Sequence, residues 1–190
     1  MTADHPAYRG TLCKDILTML EQEPEAMAAV REAVDADVLA TMRAASRLAW
    51  VDAAPFDRLK EVHLHTVGED PYVQFWRAYM ASVGQNPLFK ALFEGGRRIF
   101  GATPASLVKW MPRGWAVSTR ACGSFDVDAA EHSATITIAD APACARMRAT
   151  GLSSKGTVLG LWDLTGTDGT VEMDDARMAE GVFTLRAQWS

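Results

Sequence analysis

The chain has little of the chemistry that announces a catalytic or metal-binding protein. Cysteine occurs three times in 190 residues, at Cys13, Cys122 and Cys144. An odd number at such wide spacing argues against a disulfide framework or a zinc module and points to a reduced, cytoplasmic setting. Histidine occurs four times, with none between His65 and His132. No apolar run approaches the roughly eighteen residues that span a bilayer. The start, Met1-Thr2-Ala3-Asp4-His5-Pro6, has neither the basic residues nor the apolar stretch of a secretory signal. Basic charge is also short. The net charge of −5 gives no support to a nucleic-acid or anionic-membrane partner, since both want a basic face.

What is present is a core. The 48% hydrophobic and 23% charged fractions are those of a soluble globular protein, and the length suits a single domain over 1–190. Much of the aromatic content falls between residues 70 and 114. There Asp70-Pro71, Asn86-Pro87 and Thr103-Pro104 each place a capping side chain before a proline, a pairing that opens helices. Gly84, Gly101 and Gly114 stand where those helices are expected to stop.

Periodicity orders the rest. Leu12, Ile16, Leu17 and Leu20 predict a helix opening near Thr11, after a loose tail over residues 1–8. Two short helices follow, marked by Met27, Val30 and Val34 and by Val38, Leu39 and Met42. Trp50 to Pro55 reads as a connection, because the residue before a proline disfavours helix. A fourth helix is expected from Pro55 to Val67. The period then changes from 3.6 to 2. Trp115, Val117, Ala121, Phe125 and Val127 predict one half-buried strand, and Ala134, Ile136 and Ile138 its return. Pro142 is expected to open a helix carrying Cys144 and Met147, with helix resuming after Gly156. Val171 with Met173, and then Phe183, Leu185, Ala187 and Trp189, predict a second hairpin. The expected class is α+β: a helical half over about 9–113, packed on an antiparallel sheet of about four strands with a helical crossover over about 114–190.

Candidate chemistry is thin. His63-Leu64-His65 is the best metal pair, yet on a helix the two imidazoles stand about 200° apart, whereas paired ligands want spacing of three or four. His63 is therefore expected near the apolar face with a hydrogen-bond partner, and His65 in water. Ser118, Ser124 and Cys122 share a polar strand face with no base at a telling spacing. Ser153-Ser154-Lys155 only superficially matches a serine–lysine dyad. Gly95-Gly96-Arg97-Arg98 lacks the Lys-Ser/Thr of a phosphate loop and follows helix rather than strand. Asp163, Asp168, Asp174 and Asp175 miss the calcium-loop spacing. The helix from Tyr72 to Val83 is the informative one. Tyr72, Trp76, Tyr79 and Val83 share one line and Phe75 and Met80 widen it, so its second face meets either core or a ligand.

Trp50 with Ala54-Pro55-Phe56, the helix through Trp76 and Tyr79, Pro112-Arg113-Gly114-Trp115, and the ending Gly181 to Trp189 together resemble a myxobacterial paralogous family of unknown function. That family is similar in layout to 4-vinyl-reductase-like, haem nitric-oxide-binding and transport-particle (TRAPP) subunit domains. The resemblance implies a helical bundle beside a small antiparallel sheet, with a cavity between the layers in some relatives. Haem-binding relatives use a proximal histidine and a Tyr-x-Ser-x-Arg motif, and neither occurs here. Where many relatives carry a cysteine in the last strand, this chain has Val182 or Thr184. No cofactor or metal is expected.

The expectation is a non-enzymatic sensor or scaffold domain that forms a homodimer and binds a small apolar ligand or a protein partner. Tyr72, Trp76, Tyr79 and Trp115 are the expected lining. One alternative is a small hydrolase- or reductase-like enzyme using Cys122, Ser118 or His63. Another is an assembly subunit with a filled core and an exposed apolar patch.

Overall fold

The structure is a computed structural model and describes residues 5–83 and 103–190. It is an α+β fold with the helices first. Strand β1 (Ala7–Arg9) leads into α1 (Gly10–Leu20), α2 (Pro24–Ala33) and α3 (Ala36–Ala44). Strand β2 (Trp50–Asp52) precedes α4 (Ala53–Val67) and α5 (Glu69–Val83). Helix α6 (Pro104–Ser118) then runs into β3 (Thr119–Arg120), β4 (Ser124–Ala129) and β5 (Ser133–Ala139). Helix α7 (Arg148–Thr165) crosses over to β6 (Gly169–Asp174), and β7 (Phe183–Trp189) closes the chain.

Two sheets form. The larger has the order β4-β5-β7-β6, all antiparallel. Its register sets Phe125 opposite Ile138, Ile136 opposite Leu185 and Val171 opposite Ala187. These side chains are buried and make one face, as strict alternation demands. Glu172 and Arg186 pair on the other face. The smaller sheet, β2-β1-β3, was not expected. The tail residues Ala7–Arg9 are its central strand, and Trp50–Asp52 is an edge rather than a connection. Strands of two or three residues are too short to display a period of two. They are held by tertiary partners.

Local chemistry explains the helix ends. Asp52 caps α4 by accepting from the Ala54 N–H, so the helix opens two residues before the expected Pro55. Thr103 opens α6 with a reciprocal capping box to Ser106, and Pro104 follows at the first helical position. In α5 the expected Asp70 cap lies already inside the helix, behind Gly68 with φ +83°. The Asn86-Pro87 opening, Gly84, Gly101 and Gly95-Gly96-Arg97-Arg98 lie outside the described residues.

Two boundaries differ from expectation. Gly114 does not stop α6, which continues through Trp115 and Val117 to Ser118. Leu107, Met111 and Trp115 recur every four residues, so the helical stripe passes straight across the glycine. The Ser118 and Thr119 hydroxyls donate to the Gly114 and Trp115 carbonyls and close the end. Likewise, helix does not wait for Gly156. Pro142 opens only a single 3₁₀ turn, Ala143–Ala145, and α7 then runs unbroken from Arg148 through Gly151, Gly156 and Gly160. A Cβ on Gly156 would lie 2.5 Å from the Val73 carbonyl oxygen and 2.7 Å from Trp76 Cβ. Gly156 and Gly160 let α7 lie against the backbone of α5, whereas Gly151 faces the Met173 side chain.

Two clusters of buried side chains result. One joins α1–α5 with β1. The other joins the larger sheet with α6 and α7. Met80, Trp115, Leu159 and Met173 touch both.

Candidate functional site

A cavity of about 180 Å³ opens where the two clusters meet. Helix α5 contributes Trp76, Tyr79, Met80 and Val83 to its wall, and α6 contributes Leu107, Met111 and Trp115. Phe125 closes it on the sheet side. Tyr8, Phe56 and Lys60 enter from β1 and α4, and Thr150, Ser153, Ser154 and Thr157 line it along α7.

Three of the four expected lining residues thus come together. Trp76 and Tyr79 meet edge to face, with ring centroids 5.6 Å apart. Trp115 tilts against Phe125 at 5.2 Å and donates from Nε1 to the Gly123 carbonyl. Tyr72 is fully buried beneath this wall. Its hydroxyl donates to the Ala149 carbonyl at 3.1 Å, and its ring meets His63. Burial raises the Tyr72 and Tyr79 phenols well above the usual tyrosine range. Among the described residues the buried Trp76 indole nitrogen has no partner in hydrogen-bonding geometry, although its N–H is near enough to the Tyr72 phenol to oppose that rise.

One end of the cavity is polar, a feature without prominence in the sequence. Lys60 and Asp57 are buried, with Nζ 2.6 Å from Oδ1. Lys60 also donates to the Tyr8 hydroxyl at 3.4 Å and to Thr150 Oγ1 at 3.1 Å. Tyr8 donates in turn to Asp57 Oδ1 at 2.9 Å. Burial, then the Asp57 charge, pushes the Tyr8 phenol far up. The signal was the spacing: residues three apart on a helix are neighbours.

The residues singled out for catalysis are dispersed. His63 is buried, as expected, with Nε2 2.8 Å from Glu23. Burial lowers its pKa, opposed by the Glu23 charge and hydrogen bond. It does not line the cavity. Cys122 is buried, and its thiol donates to the Arg120 and Ala7 carbonyls. Burial raises its pKa, which disfavours the thiolate a nucleophile needs. Ser118 does reach the wall but donates to the Gly114 carbonyl, and Ser124 is exposed. Ser153 and Ser154 both donate to the Thr150 carbonyl. Among the described residues no base stands beside Ser118 or Cys122, and no group of three His, Cys, Asp or Glu is placed to hold a metal ion. Asp163 and Asp175 pair with Arg77 and Arg148, and Asp174 with Arg186.

This arrangement of helices and sheet is the fold of H-NOX proteins, in agreement with the haem nitric-oxide-binding layout that the sequence resembles. Over 96% of both chains it superposes on an Fe(II) unliganded H-NOX protein from K. algicida, with a TM-score of 0.67 at 6% identity. A T. tengcongensis H-NOX variant covers 96% of this chain and 97% of its own at a TM-score of 0.60 and 13% identity. A further structure, described in terms of haem redox potential and porphyrin distortion, gives 0.64 at 11%. At such identities the likeness shows the fold alone. No family model and no curated protein matches the chain.

The haem implied by that fold does not fit the residues present. Among the described residues no histidine or cysteine lines the cavity. Its two phenols, Tyr8 and Tyr79, are held protonated by burial, and Lys60 gives its protons to Asp57, Tyr8 and Thr150. The volume also falls below the roughly 300–1,000 Å³ of pockets for drug-sized ligands, and a porphyrin is no smaller than those.

Proposed function

We propose that the protein is a sensor domain whose cavity takes one small apolar molecule, and that occupancy is passed on to a second copy of the chain or another protein. The supporting observation is the cavity itself. About 180 Å³ is framed by Trp76, Tyr79, Met80, Leu107, Trp115 and Phe125 at the seam between two cores. An engineered apolar cavity of about 150 Å³ stays dry and binds benzene, so a space of this size suits a single aromatic ring or a short branched chain. A filled core, as an assembly subunit would have, is not what surrounds these side chains. Tyr72 would act from behind, holding Trp76 in place.

Native mass spectrometry tests this on purified protein, alone and with added toluene, beside a denatured control. A mass excess that disappears on denaturation is expected in at least one condition, together with the mass of a dimer. Trp76→Ala or Tyr79→Ala, in protein shown to be folded by circular dichroism, should lower the bound fraction at least tenfold. Folded wild-type protein that binds neither a co-purified molecule nor toluene would sink the reading.

A further inference from the structure

The walls of the cavity specify more than apolarity. Most of their hydroxyls are already committed as donors. Ser118 and Thr119 donate to carbonyls of α6, and Ser153, Ser154 and Thr157 to carbonyls of α7. Tyr8 donates to Asp57. Thr150 differs: its oxygen accepts from Lys60, and among the described residues its own proton meets no acceptor. The Tyr79 phenol also has no acceptor among them, but it lies on the α1 side, toward Asp15 and Cys13, and not at the polar end. The polar end therefore offers the Thr150 O–H beside the Lys60–Asp57 pair, whose side chains are 4% and 0% exposed. Asp57 Oδ2 is buried without a partner among the described residues, but Asp57 is not part of the lining.

From this we infer that the cavity selects a neutral, oxygen-bearing ligand, an alcohol or carbonyl compound on a body the size of one aromatic ring, with its oxygen toward Thr150. The inference rests on the proposed sensor function and narrows it to a ligand class. Charge decides against the ionic alternatives. Lys60 spends its three N–H groups on Asp57, Tyr8 and Thr150, so an entering carboxylate would be a buried anion without a counter-charge. An ammonium would stand beside Lys60, and Asp57, which meets Lys60 through Oδ1, does not line the cavity to receive it. Burying an unpaired charge is far costlier than burying a neutral oxygen that gains a hydrogen bond. The unmet Thr150 donor rewards an acceptor, because a donor left unsatisfied in the complex carries its full desolvation penalty.

The experiment uses the folded chain and four probes that share one ring: toluene, benzyl alcohol, benzoate and benzylamine. Affinities are read by calorimetry and by the fluorescence of the wall tryptophans. Benzyl alcohol is expected to bind at least as tightly as toluene despite its stronger hydration, and at least tenfold more tightly than benzoate or benzylamine. Thr150→Val should weaken benzyl alcohol at least fivefold while leaving toluene unchanged, and Thr150→Ser should restore it. Should Thr150→Val prove unstable, Thr150→Ala supplies a second removal of the same hydroxyl. Benzoate binding more tightly than the alcohol would overturn the inference. So would a wild-type preference for toluene that neither substitution alters, although the sensor reading would then stand. If no probe binds, toluene included, both fall.

Discussion

Asp57 and Lys60 are the residues whose removal has the clearest expected outcome. A buried ion pair that loses one member leaves an uncompensated charge, at a cost of about 3–5 kcal/mol, whereas replacing both by apolar residues is often neutral or better. Lys60→Met alone should therefore lower the unfolding free energy by about 3–5 kcal/mol, and Lys60→Met with Asp57→Leu should recover most of it. Urea denaturation of the two variants measures this, and equal losses would show that the pair is not what holds this site. His63 gives a pH dependence. Its pKa is lowered in the folded state, chiefly by burial, so the unfolded chain binds the proton more readily. Stability is then present above the ordinary imidazole value of about 6.5 and falls as the pH drops through and below it. Wild type should lose more stability between pH 7.5 and 5.5 than His63→Gln does, and a smaller loss in wild type would contradict the sign. At this scale the sequence was half legible. His63 read correctly as a satisfied core histidine because it sits beside Leu64 and Leu59 on the apolar arc. Lys60 was passed over because charge in a helix usually means solvent, yet at about 100° per residue it stands only about 40° from Phe56. Its angular position held the information that its residue type concealed.

Among the elements, two glycines share one substitution and oppose each other in outcome. Gly114 lies within α6, and a Cβ there meets nothing within 4 Å. A helix-interior glycine costs roughly 0.5–1 kcal/mol relative to alanine, so Gly114→Ala should stabilise by about that amount. Gly156→Ala drives a Cβ into the Val73 carbonyl and Trp76 Cβ, both parts of a packed helix with little room to shift. Overpacking of this kind costs about 1–3 kcal/mol. Thermal unfolding of the pair decides it: a shared sign would mean that α5 and α7 do not approach as closely as described. The same two positions explain why the element boundaries were misread. Glycine was taken as punctuation at both, ending one helix at Gly114 and delaying another to Gly156. Its purpose at Gly156 is close approach of two backbones, a tertiary demand with no local signature. Strands of the larger sheet were legible because five or more alternating residues carry a period. The three short strands of β2-β1-β3 had too few.

The whole molecule sets a fold shared with haem-protein neighbours against a cavity whose chemistry differs. Nothing in a helical bundle with an antiparallel sheet dictates a porphyrin; what holds a cofactor is the donor set, and here that set is hydroxyls, indoles and one neutralised ion pair. The absence of histidine between His65 and His132 was plain in the sequence. The polar end was not, because Tyr8, Lys60 and Thr150 come from three distant segments that only folding unites. The two readings of the cavity make opposite demands on global stability. A ligand bound to the folded state alone stabilises by about 2.7 kcal/mol at a hundred times its dissociation constant. For a chain of this length each kcal/mol raises the melting temperature by about 2–4 °C, so saturating benzyl alcohol should raise it by about 5–11 °C. Haemin at equal occupancy of the solution should leave the melting temperature unchanged and keep the absorption spectrum of the free compound. A raised melting temperature with haemin, accompanied by a shifted Soret band, would instead return the protein to the chemistry of its structural neighbours and remove the small-ligand reading, since one cavity at the seam of two cores cannot hold both.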